Sequence, residues 1–140
     1  MLGKKVGSTT ATCVNKALPS NGGGMPRIET AATGTGELVG AEVKIFATYH
    51  AEMRPDGTFY GECPNAGVVM AADGVATFRA SGIGKPTADG GFSFRGAVYF
   101  EASAPSLAEL NGIACMYQWD VNANDEATWE IWACEYLRLN

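Results

Sequence analysis

Along most of the chain, apolar and polar side chains alternate one by one rather than at helical spacing. The run Val43, Ile45, Ala47, Tyr49, Ala51, Met53 is the clearest case, and Phe92, Phe94, Val98 and Phe100 form another. The alternation predicts eight β-strands, at 4–18, 27–38, 41–54, 58–71, 75–86, 91–101, 113–121 and 126–139. Asp-Gly pairs at 56–57, 73–74 and 89–90 fall between strands, and Val39-Gly40 makes another tight connection. Asp-Gly favours two-residue hairpin turns, because both central residues need positive φ. Pro19 to Pro26, with Gly22-Gly23-Gly24, reads as a loop. Pro105-Ser106-Leu107-Ala108-Glu109-Leu110 is long enough for one short helical turn, with Ser106 available as its cap.

Eight long antiparallel strands in sequence order should curl and close, since closure removes exposed edges. The expected fold is all-β: an eight-stranded antiparallel up-and-down meander barrel forming a single domain over 1–140. A two-sheet β-sandwich is the alternative. Glycines within strands, among them Gly61, Gly67, Gly82 and Gly84, fit a bent and bulged wall.

Two-residue turns fix register, so facing partners follow by counting. A turn at Asp56-Gly57 places Tyr49, Tyr60 and Glu62 on the inner face, and pairs His50 with Cys63 outside. A turn at Asp89-Gly90 sends Thr77, Arg79, Ser81, Ile83 and Lys85 inward opposite the Phe92–Phe100 strand, and the Asp73-Gly74 turn agrees. Inward charge is costly unless paired, hydrated or ligand-bound. Two readings stay open. Either a cavity is lined by Tyr49, Tyr60, Glu62, Arg79 and Ser81, or a bulge near Pro64-Asn65 or Gly82 turns the polar set to solvent. The last hairpin, with Ala123-Asn124-Asp125 as a three-residue loop, pairs Trp119 with Trp129 and Tyr117 with Ile131. These rings fill a barrel end or line an apolar pocket, which makes Tyr117 a sixth candidate ligand contact. Glu62 is the candidate acid or base, because burial would raise its pKa toward neutrality.

Composition narrows the function. The 140 residues carry 15 acidic and 10 basic side chains, a net charge of −5. That balance speaks against nucleic acid, which demands a basic footprint. No apolar run approaches the ~18 residues of a membrane span, so no membrane partner is expected. Met1-Leu2-Gly3-Lys4-Lys5 leads into no apolar secretory core. Cys13, Cys63, Cys115 and Cys134 show no close pairing, and His50 is the single histidine, so no metal site and no cofactor are expected. Reduced thiols in a cytoplasmic protein are the favoured reading. A Cys63–His50 thiolate pair would lack a third, orienting group. Gly82-Ile83-Gly84-Lys85-Pro86-Thr87 has Arg79 where a phosphate loop needs glycine, and Gly34-Thr35-Gly36 meets Val39 where a dinucleotide fingerprint needs its third glycine. Gly91-Phe92-Ser93 opens no nucleophile elbow.

Arg54-Pro55-Asp56-Gly57-Thr58-Phe59-Tyr60-Gly61-Glu62, Ser81-Gly82-Ile83-Gly84-Lys85, Phe94-Arg95-Gly96-Ala97-Val98-Tyr99-Phe100 and Leu107-Ala108-Glu109-Leu110-Asn111-Gly112 resemble a family of uncharacterised prokaryotic proteins of about this length. Similar sequences have a shorter Gly-Gln-Gly link where this chain has Cys63-Pro64-Asn65-Ala66-Gly67, which points to a bulge there. The resemblance implies a calycin or allene-oxide-cyclase type of small barrel, whose members bind or cyclise apolar small molecules. Three functions follow. The first is binding of an apolar or amphipathic small molecule inside the barrel. The second is a cofactor-free isomerase or cyclase, with Glu62 or Tyr60 moving a proton. The third is a filled, structural barrel acting through its surface. Small barrels often associate, so a homo-oligomer is expected.

Overall fold

In the computed structural model, which describes residues 2–20 and 22–137, the alternating stretches form eight strands. They are β1 (Leu2–Leu18), β2 (Arg27–Leu38), β3 (Ala41–Met53), β4 (Phe59–Ala71), β5 (Gly74–Pro86), β6 (Phe92–Ala102), β7 (Ala114–Val121) and β8 (Glu126–Cys134). Each pairs antiparallel with the next, and β8 returns to pair with β1. The ladder is a closed up-and-down barrel, not a sandwich. The last strand is shorter than its sequence pattern, ending at Cys134; residues 135–137 are irregular, and 138–139 lie outside the described residues.

The turns depart from the expected Asp-Gly type at all three pairs, and at two of them the loop is one residue longer. Arg54 N–H donates to Thr58 O at 2.7 Å and Gly57 N–H to Arg54 O at 2.9 Å, which closes a three-residue loop with Gly57 at φ 85°. Thr87 N–H to Gly91 O and Gly90 N–H to Thr87 O repeat the pattern, with Gly90 at φ 90°. The loop at Asn122–Glu126 is the same again, with Asp125 in the left-handed position at φ 59°. This is a type I turn followed by a left-handed residue. Pro55 shows why the two-residue alternative fails: flanking a turn at Asp56-Gly57 it would owe Thr58 O a backbone N–H that proline lacks, whereas its φ near about −65° suits the first position of a type I turn. At the third pair, Ala72-Asp73 forms the turn and Gly74 already pairs with Ala71. Only Val39-Gly40 is a two-residue turn with both φ positive, 44° and 82°. Val39 is β-branched, and that conformation strains it.

A loop one residue longer inverts the next strand. Both wrong turns flank the β4–β5 pair, so the two errors cancel beyond it. β3 and β6 face as expected, with Ile45, Tyr49, Phe94 and Val98 inward, while β4 and β5 are reversed. Phe59, Gly61, Cys63, Gly67 and Val69 of β4, and Ala76, Phe78, Ala80, Gly82 and Gly84 of β5, face the interior. The bulge expected at Pro64-Asn65 is present. Pairing to β3 breaks between Ala47 and His50, pairing to β5 breaks between Cys63 and Gly67, and Pro64, Asn65 and Ala66 are exposed. It adds two residues, an even number, so it leaves the faces unchanged. Gly82 pairs regularly with Gly96 and carries no bulge.

The two barrel ends differ. One carries the short turns and the 3₁₀ turn Pro105–Leu110, which drives the fully buried Leu107 and Leu110 into the core beside Ala104. Ser106 does not cap this turn through its side chain. Its N–H and Oγ instead donate to the Asp73 carboxylate at 2.8 and 2.6 Å, tying the turn to the β4–β5 corner. The other end carries the loop 19–26 and the three-residue loops.

Candidate functional site

Inward alternation brings nine aromatic rings into one connected cluster in the barrel. Trp129 lies 5.0 Å from Phe78, 6.4 Å from Tyr117 and 6.4 Å from Trp119, centroid to centroid. Tyr49 meets both Trp119 and Phe94 edge-on at 6.1 Å. The facing wall is built from small side chains, Ala32, Ala47, Gly61, Cys63 and Ala80. Rings opposite small residues leave a cavity of about 60 Å³, almost wholly apolar. Among the described residues no hydrogen bond is made by the Tyr117 hydroxyl. Burial pushes its pKa upward, and the nearby Tyr49 and Cys63 add to that. The wall thus presents one unsatisfied hydroxyl among rings.

Tyr49 separates this cavity from a second, of about 130 Å³, at the end away from the 3₁₀ turn. Its hydroxyl accepts a hydrogen bond from Trp119 Nε1 at 3.1 Å and neighbours Thr30. Burial is the main cause that pushes its pKa to about 12, while the Trp119 donor pulls it down. Thr30, 3% exposed, donates to Asn15 Oδ1 at 2.7 Å, and Asn15 Nδ2 donates to Asp125 Oδ1 at 2.9 Å. A polar string therefore runs up the wall to a carboxylate at the rim. Ile28, Phe59, Phe92 and Phe94 complete the mouth. Sequence counting missed Asn15, Thr30 and Asp125. Thr30 sits between Ile28 and Ala32 on one alternating face, and that was the available signal.

Of the six expected contacts, Tyr49 and Tyr117 face the interior. Tyr60, Glu62, Arg79 and Ser81 face outward, a correction that follows from the three-residue loops. Three of these four still meet. Tyr60 donates its hydroxyl to Glu62 Oε1 at 2.7 Å, a bond that raises the phenol pKa, and Ser81 lies directly across from Glu62 on β5. His50 faces Glu62, not Cys63, with Nε2 3.9 Å from Oε2. Glu62 also reaches the rim of the inner cavity beside the bulge. Arg79 stands apart, beside Tyr99 on an outer groove shared with Asn65, Thr77 and Glu101. Cys63 points inward, and burial raises its thiol pKa despite backbone donors at Ala66 and Thr48. All four cysteines are unbridged, and Cys13, Cys63 and Cys115 are buried.

A closed eight-stranded β-barrel with a small apolar interior is the class these observations define. Solved structures with the same architecture include proteins from three bacteria. A conserved protein of unknown function from Rhodopseudomonas palustris superposes with a TM-score of 0.75 at 17% identity, covering 95% of this chain and 97% of its own. A β-barrel-like protein from Acinetobacter baumannii gives 0.78 at 12%, covering 96% of each chain. A protein with unknown function from Clostridium acetobutylicum gives 0.78 at 14%, covering 93% and 96%. At such identities the likeness is one of fold. No family model and no curated protein matches the chain. Among the described residues, no helix is long and apolar enough to cross a membrane.

Proposed function

We propose that the protein binds a small apolar or amphipathic molecule inside the barrel, entering at the end away from the 3₁₀ turn. The observation that carries this is the Tyr117 hydroxyl, left without a partner in a cavity walled mainly by rings and small apolar side chains, with Glu62 at its rim. A pocket of apolar surface with a few fixed polar groups is the usual form of a ligand site. Calycin-like binding remains part of this proposal, as does a cytoplasmic setting, to which three buried unbridged thiols lend support. Native mass spectrometry of protein purified from its own cells tests it by seeking a retained small molecule. Tyr117→Phe should weaken binding of that molecule about two- to tenfold, the range of one hydrogen bond. Protein that emerges empty, with Tyr117→Phe leaving every measured affinity unchanged, would end this reading.

A homo-oligomer is the companion proposal. The outer face of β3–β5 carries Phe46, Met70 and Val75, 43%, 45% and 40% exposed, with Val68 between Phe46 and Thr77. A second copy is the occupant this strip would take, and sedimentation of wild type against Phe46→Lys reads it out.

A further inference from the structure

We infer that the mouth selects a cationic headgroup, so that the molecule taken up is an apolar amine of about one-ring size rather than a carboxylic acid. This rests on the interior-binding reading, seats the ligand's head in the outer of the two cavities, which shares Tyr49 and Phe94 with the inner one, and adds its chemical class. Between them the two cavities are lined by two ionisable carboxylates, Asp125 and Glu62, and by no Lys or Arg. An anionic head entering here would meet negative charge and no compensating cation, and burying an unpaired charge is strongly unfavourable.

The hydrogen bonds at the rim favour the same ligand. Asn15 Nδ2 is directed at Asp125, the Thr30 hydroxyl at Asn15, and Asn122 Nδ2 at Glu126. Asp125 Oδ1 takes the Asn15 bond, and no ion pair joins Asp125 to a basic side chain among the described residues. Its carboxylate keeps acceptor capacity at the top of a cavity whose lower walls are Phe59, Phe92 and Phe94. An ammonium at Asp125 with its ring below satisfies both halves, and the aromatic faces favour a nearby cation. Size agrees: the mouth holds about 130 Å³, close to the roughly 150 Å³ of an engineered apolar cavity that takes benzene.

The test is calorimetric titration of the whole protein with three ligands of one shape, 2-phenylethylamine, 2-phenylethanol and 3-phenylpropanoate. The amine should bind about tenfold more tightly than the alcohol, with the carboxylate weakest. In Asp125→Asn, which keeps an acceptor for Asn15 and suits the left-handed backbone, the advantage of the amine over the alcohol should vanish. Asp125→Gly fits the same backbone and serves as the second variant. A carboxylate or alcohol that matches the amine in wild type, or an amine preference that survives both variants, overturns the headgroup assignment while leaving interior binding intact. Failure of all three ligands to bind, with nothing retained from cells, brings down interior binding and this inference together.

Discussion

The Tyr117 hydroxyl lies over the backbone of Gly82, so close that a Cβ there would sit 2.4 Å from the oxygen and 2.8 Å from the carbonyl of Arg95. The missing side chain on β5 is what gives the phenol its place. Gly82→Ala should therefore destabilise the protein by about 1–3 kcal/mol, the usual cost of overpacking. Tyr117→Phe in the same chain should recover part of that, since the Arg95 clash stays. Denaturant unfolding of the two single variants and the double variant reads the coupling, and strict additivity would contradict the contact.

Asp73 and Ser106 hold the 3₁₀ turn to the β4–β5 corner. Two hydrogen bonds from Ser106 lower the Asp73 pKa below its ordinary value. A carboxyl with a depressed folded pKa contributes stability that is present above its unfolded pKa and lost as pH falls through the folded one. Acidification should loosen this end first. Amide exchange at Leu107 and Leu110 should accelerate in acid more in wild type than in Ser106→Ala. Equal acid sensitivity in both would show that the tie contributes nothing.

Val39 occupies a left-handed position that costs a β-branched residue of order 1–3 kcal/mol. Its side chain is half-buried against the core, which offsets part of any gain from replacement. Val39→Asn should raise stability by about 1 kcal/mol, because Asn tolerates this backbone and suits the type I′ turn. A lower melting temperature in this variant would mean that packing outweighs strain.

Tyr49, with its pKa raised to about 12 by burial, keeps its proton in the folded state at a pH where an unfolded tyrosine has lost it. Its contribution to stability is complete below the ordinary phenol pKa of about 10, and is lost as pH rises from there through the folded value. Alkaline unfolding should begin at higher pH in Tyr49→Phe than in wild type. Phenolate absorbance checks this directly, and a Tyr49 signal titrating with the exposed tyrosines would refute its burial.

The barrel itself was legible because alternation and the order of turns survive uncertainty about any one loop. Which side of each strand looks inward was harder, since a single residue in a loop decides it. Phe59 and Phe78 mark the true inner face of β4 and β5, and Pro55 already excluded the shorter turn. Both signals were outweighed by Asp-Gly. Tyr49 and Tyr117 were placed correctly because β3 starts from the two-residue Val39-Gly40 turn and the Asn122–Glu126 loop has the length assumed. The string through Thr30, Asn15 and Asp125 joins residues up to 110 positions apart. Closure of β8 on β1 creates it, and no local pattern announces closure.

The bulge at Pro64–Ala66 sets a rule for how this wall can change over evolutionary time. Because inside and outside alternate with every residue, lengthening or trimming β4 there by one would exchange its oily and wet sides along the rest of the strand, whereas a change of two is silent.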